Sequence, residues 1–281
     1  MQAADRAIVL IWKLLERKTS PKFLVFWSAF AAHALVYWGV GLLILAVDKS
    51  KKPAWLYRYK IQPSDGLSLS DAVKCIKRVA LNQLLFAVLP LYLASRRLGE
   101  SYALKQLRRP VPTARQMIWQ LCVCLALQEI GFYFSHRALH HPRVYKTVHK
   151  MHHEFRAPTS LASEYAHPVE FVVADILPGV LGPSLLHTHA LTNMIWTAFG
   201  MFITTAHHSG YQLPFLRGFL APDFHDYHHM AFNSNFGTTR TLDWLFGTDK
   251  HFRAYLERRK NANKPATQQE ADEEALKNVL E

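Results

Sequence analysis

Cysteine is nearly missing from this 281-residue chain. Cys75, Cys122 and Cys124 are the whole supply, which excludes a disulfide framework and any C-x-x-C zinc motif. A cytosol-type redox environment is the default that remains. Acidic side chains are also scarce, 21 Asp and Glu against 33 Lys and Arg, giving a formal net charge of +12. No helix-turn-helix or RNA-binding pattern accompanies that charge, so nucleic acid is not expected as a partner. The H-E-x-x-H signature is missing, which argues against a zincin-type protease. A cleaved signal peptide is not expected either. Ile8, Ile11, Trp12 and Leu15 follow helical spacing among Arg6, Lys13, Arg17 and Lys18. That pattern reads as an interfacial helix on a membrane, or as an amphipathic helix packed on the protein.

Charge is missing from long stretches too. Phe23 to Val47 holds no charged side chain, with His33 its only group that titrates near neutral pH, and is long enough to cross about 30 Å of hydrocarbon. Val79 to Ser95 and Met117 to Ser135 are shorter apolar runs, the second interrupted by Glu129. Val169 to Ala206 reads as a pair, a first arm broken by Pro178, Gly179, Gly182 and Pro183 and a second arm from Leu191 to Ala206. The basic segments Lys49 to Lys60, Arg96 to Arg115 and Arg253 to Lys264 flank these runs, as expected beside an anionic membrane face. If the second and third runs form a hairpin, the loop 96–115 lies at the end opposite the histidines described next, against the usual placement of positive charge. A helix near Asp71 would be capped by Asp65 or Ser70.

Against these shortages stands an excess of histidine, sixteen residues. Nine fall in three groups: His136, His140 and His141; His149, His152 and His153; His225, His228 and His229. Positions i, i+3 and i+4 share a helix face, so each H-x-x-H-H is expected to aim three imidazoles at one point. Pro142 ends the helix that carries the first group. Core packing does not call for this pattern, and a metal does. His33 and His251 read as ordinary polar residues.

Nine imidazoles exceed what one structural or catalytic zinc takes, so two metals are expected. Imidazole suits several metals; a site beside hydrocarbon implies oxygen chemistry on a lipid, which needs a redox metal and favours iron. His208, at the end of the Leu191 to Ala206 helix, is the expected tenth ligand. His207, His167 and His189 are possible further ligands or orienting groups, with His187 a weaker one. Asp226, and Glu164 or Glu170, are expected to orient imidazoles by accepting their second N–H. Glu129 faces either the site or a neighbouring helix.

The phrases SHRALHH, HKMHHEF, HHSGY and HDYHH resemble the membrane-bound fatty acid hydroxylase superfamily. HHEFRAPTSLASEYAHPVE, GYQLPFL, FHDYHHMAFNSNFG and LDWLFGTD are similar to its C4-methylsterol oxidase branch. The resemblance covers about residues 118 to 250. It implies a di-iron monooxygenase of the endoplasmic reticulum membrane, multi-pass, with its histidines facing the cytosol. Electrons would come from NAD(P)H through a reductase and a cytochrome of the b5 type, with O2 as co-substrate. The ligands implied are His136 with His140 or His141, then His149, His152 and His153, then His225, His228 and His229. Two features depart from the pattern: a dilysine retrieval signal is missing from the final residues, and APTSLAS replaces an APFG-type phrase.

The fold expected is an all-α integral membrane helical bundle with about four spanning or re-entrant helices and a cytosolic histidine-box cap. Residues 1–22 would form the interfacial helix, 23–116 the N-terminal membrane helices and basic loops, 117–253 the di-iron domain and 254–281 a polar tail. The activity expected is oxidation of a lipid C–H bond, foremost the C4-methyl group of a sterol precursor. A fatty acyl or sphingolipid hydroxylase is the alternative. A non-catalytic metal-binding or transport protein is a further rival. It would need ionisable residues along a path through the spans, where Glu129 and Asp175 are the main ones.

Overall fold

The computed structural model describes residues 3–63, 67–214 and 222–261. Among them every regular element is helical, and the one β-type pairing is an isolated bridge between Lys60 and Tyr211. Helix α1 is Ala3–Lys18. Four long helices follow: α2 (Phe23–Ser50), α3 (Leu69–Leu107), α4 (Ala114–Leu139) and α5 (Pro168–Leu185), each long and apolar enough to cross a membrane. Then come α6 (Ala190–His207), α7 (Pro222–Ala231), α8 (Thr241–Phe246) and α9 (Lys250–Asn261).

The outer surface of the four long helices decides their solvent. Leu35, Leu43, Ile118, Trp119, Leu177 and Leu185 are each more than half exposed. So large an apolar surface is unfavourable in water and is the solvated side in lipid. The chain is therefore an all-α membrane protein. Inside the bundle, small residues let backbones close up, as is usual between membrane helices. A Cβ at Gly182 would lie 2.7 Å from Cys124 Cα, and one at Gly41 would lie 2.6 Å from Leu161 Cδ2.

Several boundaries differ from the sequence reading. Helix α3 extends ten residues before Val79 because Cys75 and Val79, at helical spacing, pack against Leu161, Ala162 and Tyr165. Ser68 caps it, its Oγ accepting the Asp71 N–H at 3.0 Å, where Ser70 had been a candidate; Asp65 lies outside the described residues. The helix also runs on through Arg96 and Arg97, kinking at Gly99 (φ +71°). Helix α1 packs on the protein along one face. Trp12 is fully buried with Ile8 and Leu15 beside it, while Leu10, Ile11 and Leu14 are exposed. Asp5 accepts the Ala114 N–H at 2.9 Å, which ties α1 to the first turn of α4. At 1.5 Å per residue that turn lies ~39 Å from the histidine end of α4. The loop after α3 shares that far end, as the hairpin reading expected. The chain stays packed beyond 254, the expected start of the tail, since Tyr255 on α9 is buried with Phe224, Tyr227 and Phe252. Residues 262–281 lie outside the described residues.

Candidate metal centre

Three local structures carry the histidines. Helix α4, opened by a Thr113–Gln116 capping box, presents His136 in its last turn and His140 at its C-cap. A 3-10 helix, His149–Glu154, carries the second set, and α7 carries the third. His208 is the C-cap of α6. These elements meet at one end of the spans, where nine imidazoles form two buried groups. His136, His140, His149, His153 and His228 make group one; His152, His208, His225 and His229 make group two. Within each group the facing nitrogens all lie within 4.8 Å of one another.

The division corrects the sequence expectation. Each H-x-x-H-H serves both groups. His149 and His153 join group one while His152 joins group two; His225 and His229 join group two while His228 crosses to group one. The second box, on a 3-10 helix, makes this division at a different angle per residue. On α7, at 100° per residue, i+4 lies 40° from i whereas i+3 lies 60° away on the other side, so the i, i+4 pair converges and i+3 diverges. His140 follows the same rule as the i+4 partner of His136.

His141, one of the ten residues expected, is not gathered. It is exposed and caps the short helix Pro142–Tyr145, its Nδ1 accepting the Arg143 N–H at 3.3 Å. His207 is buried with its ring 6.2 Å from that of His225, outside both groups. His167 and His189 cap the helices that begin at Pro168 and Ala190, and His189 packs edge-on against Trp12 at the far end. His187 lies at that end as well, where its carbonyl accepts from Arg109 at 2.6 Å.

The imidazoles are oriented from behind. His136 Nδ1 donates to the Phe236 carbonyl at 2.7 Å, His228 Nδ1 to Ser234 at 2.6 Å and His208 Nδ1 to Thr204 at 2.9 Å. His149 Nδ1 donates to Glu170 Oε1 at 2.8 Å, and the same oxygen lies 4.0 Å from His152 Nδ1. A carbonyl or carboxylate oxygen only accepts, so these rings carry their proton on Nδ1 and leave Nε2 as a bare lone pair. Of the three expected carboxylates, Glu170 alone takes this part. Asp226 instead accepts from Gln62 Nε2 at 2.6 Å, and Glu164 from Gln83 at 2.7 Å and His33 at 3.1 Å. Glu129 faces neither metal group; it accepts the Thr238 and Thr239 N–H groups.

The spacing of the bare nitrogens tests whether metals fit. His136 and His149 oppose Nε2 lone pairs at 3.1 Å, with no proton between them. Other pairs are 2.9 Å (His140–His149), 3.0 Å (His149–His153), 2.8 Å (His208–His225) and 3.1 Å (His225–His229). At a metal–nitrogen distance of about 2.1 Å, adjacent ligands lie roughly 3.0 Å apart. The groups thus have the edges of coordination polyhedra, and a cation is what such opposed lone pairs require. Burial reinforces this by pushing the imidazoles outside the spans toward neutrality. His149, His152, His153, His225, His228 and His229 are held well below the ordinary value, chiefly by desolvation and then by one another. His208 falls to about 4. Neutral imidazole is the form that binds metal.

The supports that sequence reading missed are mostly carbonyls, which no side-chain pattern reveals. Asp243 was also missed. It accepts the Phe236 N–H at 2.8 Å and the Gly237 N–H at 2.6 Å, holding the loop whose carbonyl faces His136. A Cβ at Gly237 would meet Glu129 Oε1 at 2.7 Å and Asp243 Oδ2 at 2.8 Å, so glycine is required there.

Residues 121–248, which contain every gathered histidine, match the family model described as fatty acid hydroxylase. The chain is 38% identical to fatty acid hydroxylase domain-containing protein 2 of Macaca fascicularis, over 82% of this chain and 68% of that protein. The chain belongs to the fatty acid hydroxylase family. Methylsterol monooxygenase 2-2 of Arabidopsis thaliana is 32% identical over 91% of this chain and 97% of its own length. Methylsterol monooxygenase 1 of Danio rerio is 31% identical, over 84% and 81% respectively. No solved structure matches the chain. The resemblance read from the histidine phrases is thereby borne out. As a member of the family the chain is a lipid oxygenase, an oxidoreductase of the membrane, and its histidines form two groups able to hold metal.

Proposed function

We propose that the chain is a di-iron monooxygenase that oxidises the C4-methyl group of a sterol precursor. The observation that carries this reading is the pair of adjacent, neutral, buried imidazole groups at one end of a lipid-exposed bundle. Five histidines would hold one iron and four the other. When bound, the two ions supply the redox chemistry with O2 that an unactivated C–H bond demands and that zinc lacks. The chain's own part is positional. Phe236, Ser234 and Thr204 carbonyls and the Glu170 carboxylate fix Nδ1–H, so that Nε2 faces inward. The desolvated surroundings exclude bulk water and keep the imidazoles unprotonated.

The sterol assignment is drawn from the relatives named methylsterol monooxygenase, which align along most of the chain. A second reading, acyl-chain hydroxylation, is favoured by the relative named fatty acid hydroxylase ahd1 of Mycosarcoma maydis, 36% identical over 77% of this chain. Electrons would reach the site from NAD(P)H through a cytochrome of the b5 type and its reductase. The endoplasmic reticulum is the proposed membrane, with the histidine end in the cytosol. Lys and Arg are more numerous at that end than at the α1 end, in keeping with the positive-inside rule despite the basic far loop.

The test is mass spectrometry of membranes containing the chain, supplied with a 4,4-dimethylsterol, NADPH and O2. Oxidised C4-methyl products are expected, absent from the double variant His228→Ala, His229→Ala, which strikes one ligand of each group. No sterol product from protein holding two irons would move the assignment to an acyl substrate.

A further inference from the structure

A groove of about 880 Å³ opens beside group one, between α3 and the segment 145–156, with His153 among its lining residues. Among the described lining residues its cations are Lys74, Lys77, Arg78, Lys146, Lys150 and Arg156, against a single acid, Glu154. That acid is already engaged by Lys74 and by the Tyr165 hydroxyl at 2.8 Å. Beneath the charged rim the wall is apolar, built from Leu81, Tyr145, Met151 and Phe232. The Tyr145 and Phe232 rings stand 5.8 and 5.1 Å from the His153 ring, and the Arg156 guanidinium lies over Phe232 at 5.7 Å. His153 itself is buried, its Nδ1 without a partner, while its Nε2 stands among the group-one nitrogens. The groove therefore runs from a cationic mouth, past two aromatic rings, to a residue of the candidate centre.

The geometry points to this groove as the port by which a lipid bearing an anionic head group reaches the histidine centre. The inference rests on the proposed lipid-oxidising function in its acyl-chain reading, since a 4,4-dimethylsterol is a neutral alcohol with no anion for these cations, and adds to it the charge of the lipid's head and the side from which it enters. The rim carries five more positive charges than negative ones, and charge complementarity selects an anion. The apolar wall selects a hydrocarbon body behind that anion. The occupant is a lipid rather than a protein because the site is concave and one of its walls belongs to a spanning helix. On that wall Leu81 is 45% exposed, continuous with the lipid-facing surface. A head group held at Lys77, Arg78 and Lys150 would leave its hydrocarbon pointing past Phe232 and Tyr145 toward His153.

The test uses the full chain in neutral detergent with two fluorescent probes, an eighteen-carbon carboxylate and the corresponding primary alcohol. The wild type should bind the carboxylate about tenfold more tightly than the alcohol. The triple variant Lys77→Gln, Arg78→Gln, Lys150→Gln should lose that preference, with alcohol binding and metal content unchanged. These three side chains are on the surface and outside both histidine groups. Equal binding of the two probes by the wild type would overturn the inference, as would an unchanged preference in the variant. Full displacement of the carboxylate probe by millimolar inorganic phosphate would also overturn it, because the site would then be one for a small anion. So would a variant that binds both probes like the wild type yet is reduced more slowly by an acidic redox protein, since the groove would then be a protein-docking surface. Metal content is measured separately. A wild type that holds no metal but keeps the carboxylate preference would sink the proposed function and still support the groove as a lipid site.

Discussion

Group one and group two are built from the same residue and differ in how firmly it is held. In group one, three of five imidazoles (His136, His149 and His228) have Nδ1 fixed within 2.8 Å of an acceptor. Among the described residues, His208 is the one imidazole of group two whose Nδ1 is held at hydrogen-bond distance by an acceptor, at 2.9 Å, and His152 sits 4.0 Å from Glu170 Oε1. Fixing the tautomer and ring plane before metal binds removes an ordering cost and raises ligand basicity. Group one is thus the richer and better oriented site, and group two has no ligand to spare.

The largest expected effect comes from removing one ligand from each. His225→Ala leaves three imidazoles in group two, so the purified variant should hold about one metal per chain and lose at least ~1000-fold in product formation. His153→Ala leaves four in group one, the usual number for a closed imidazole site. It should keep nearly two metals and lose only about 10- to 100-fold. Elemental analysis beside turnover makes the comparison. Equal metal loss in both variants would break this asymmetry.

Acid should act next, and most visibly on metal-free protein. Buried imidazoles whose folded values lie below the ordinary 6.5 take up protons in the unfolded chain first. Their contribution to stability is complete above about pH 6.5 and is lost as pH falls toward the folded values, which for His208 is about 4. Each such group costs up to ~1.4 kcal/mol per pH unit within that window. Unfolding of metal-free protein should therefore move to markedly lower temperature between pH 7.5 and pH 5.5. Metal should shift the fall to lower pH, and by more in His225→Ala-type protein retaining group one than in protein retaining group two alone. A flat profile would mean that the imidazoles are solvated.

Smaller again is the effect of the one carboxylate that reaches toward both groups. Glu170→Gln keeps the shape and weakens the acceptor facing His149, so metal affinity should fall about 10- to 100-fold, first at group one. Asp226→Asn, although inside the third histidine box, should change affinity far less, since its partner is Gln62. Competition with a chelator measures both. A larger effect at Asp226 would reverse the roles assigned to them.

The membrane helices and the nine gathered histidines could be read in the sequence because each rests on a local signal: an uncharged run, imidazoles at helical spacing or, for His208, a histidine at the end of an apolar run. Their division into two groups could not, because i+3 and i+4 both count as the same face until a second metal stands beside the first. The onset of α3 was missed for a related reason. Lys74, Lys77 and Arg78 interrupt its hydropathy, yet they ride on a helix whose other face packs Cys75 and Val79 onto Leu161. The orienting carbonyls of Thr204, Ser234 and Phe236 have no side-chain signature at all. Glu170 stands 21 residues from His149, a separation that only the fold closes.

The smallest effect expected is the most specific check on that logic. His140 and His141 are adjacent, identical in type and both within reach of a helix end, so sequence spacing alone left either as the partner of His136. The i+4 position wins because α4 ends at Leu139 with His140 still helical at its C-cap, φ −76° and ψ −5°. His141 turns to an extended conformation, ψ 133°, to start the Pro142 helix. Its ring then faces water and caps the Arg143 N–H, an interaction worth about 1 kcal/mol or less at an exposed site. His141→Ala should leave metal content and turnover unchanged, with a stability loss within that figure, while His140→Ala should weaken group one as His153→Ala does. If His141→Ala removes metal instead, the end of α4 is misplaced by one residue and the five-membered group must be redrawn around the i+5 spacing.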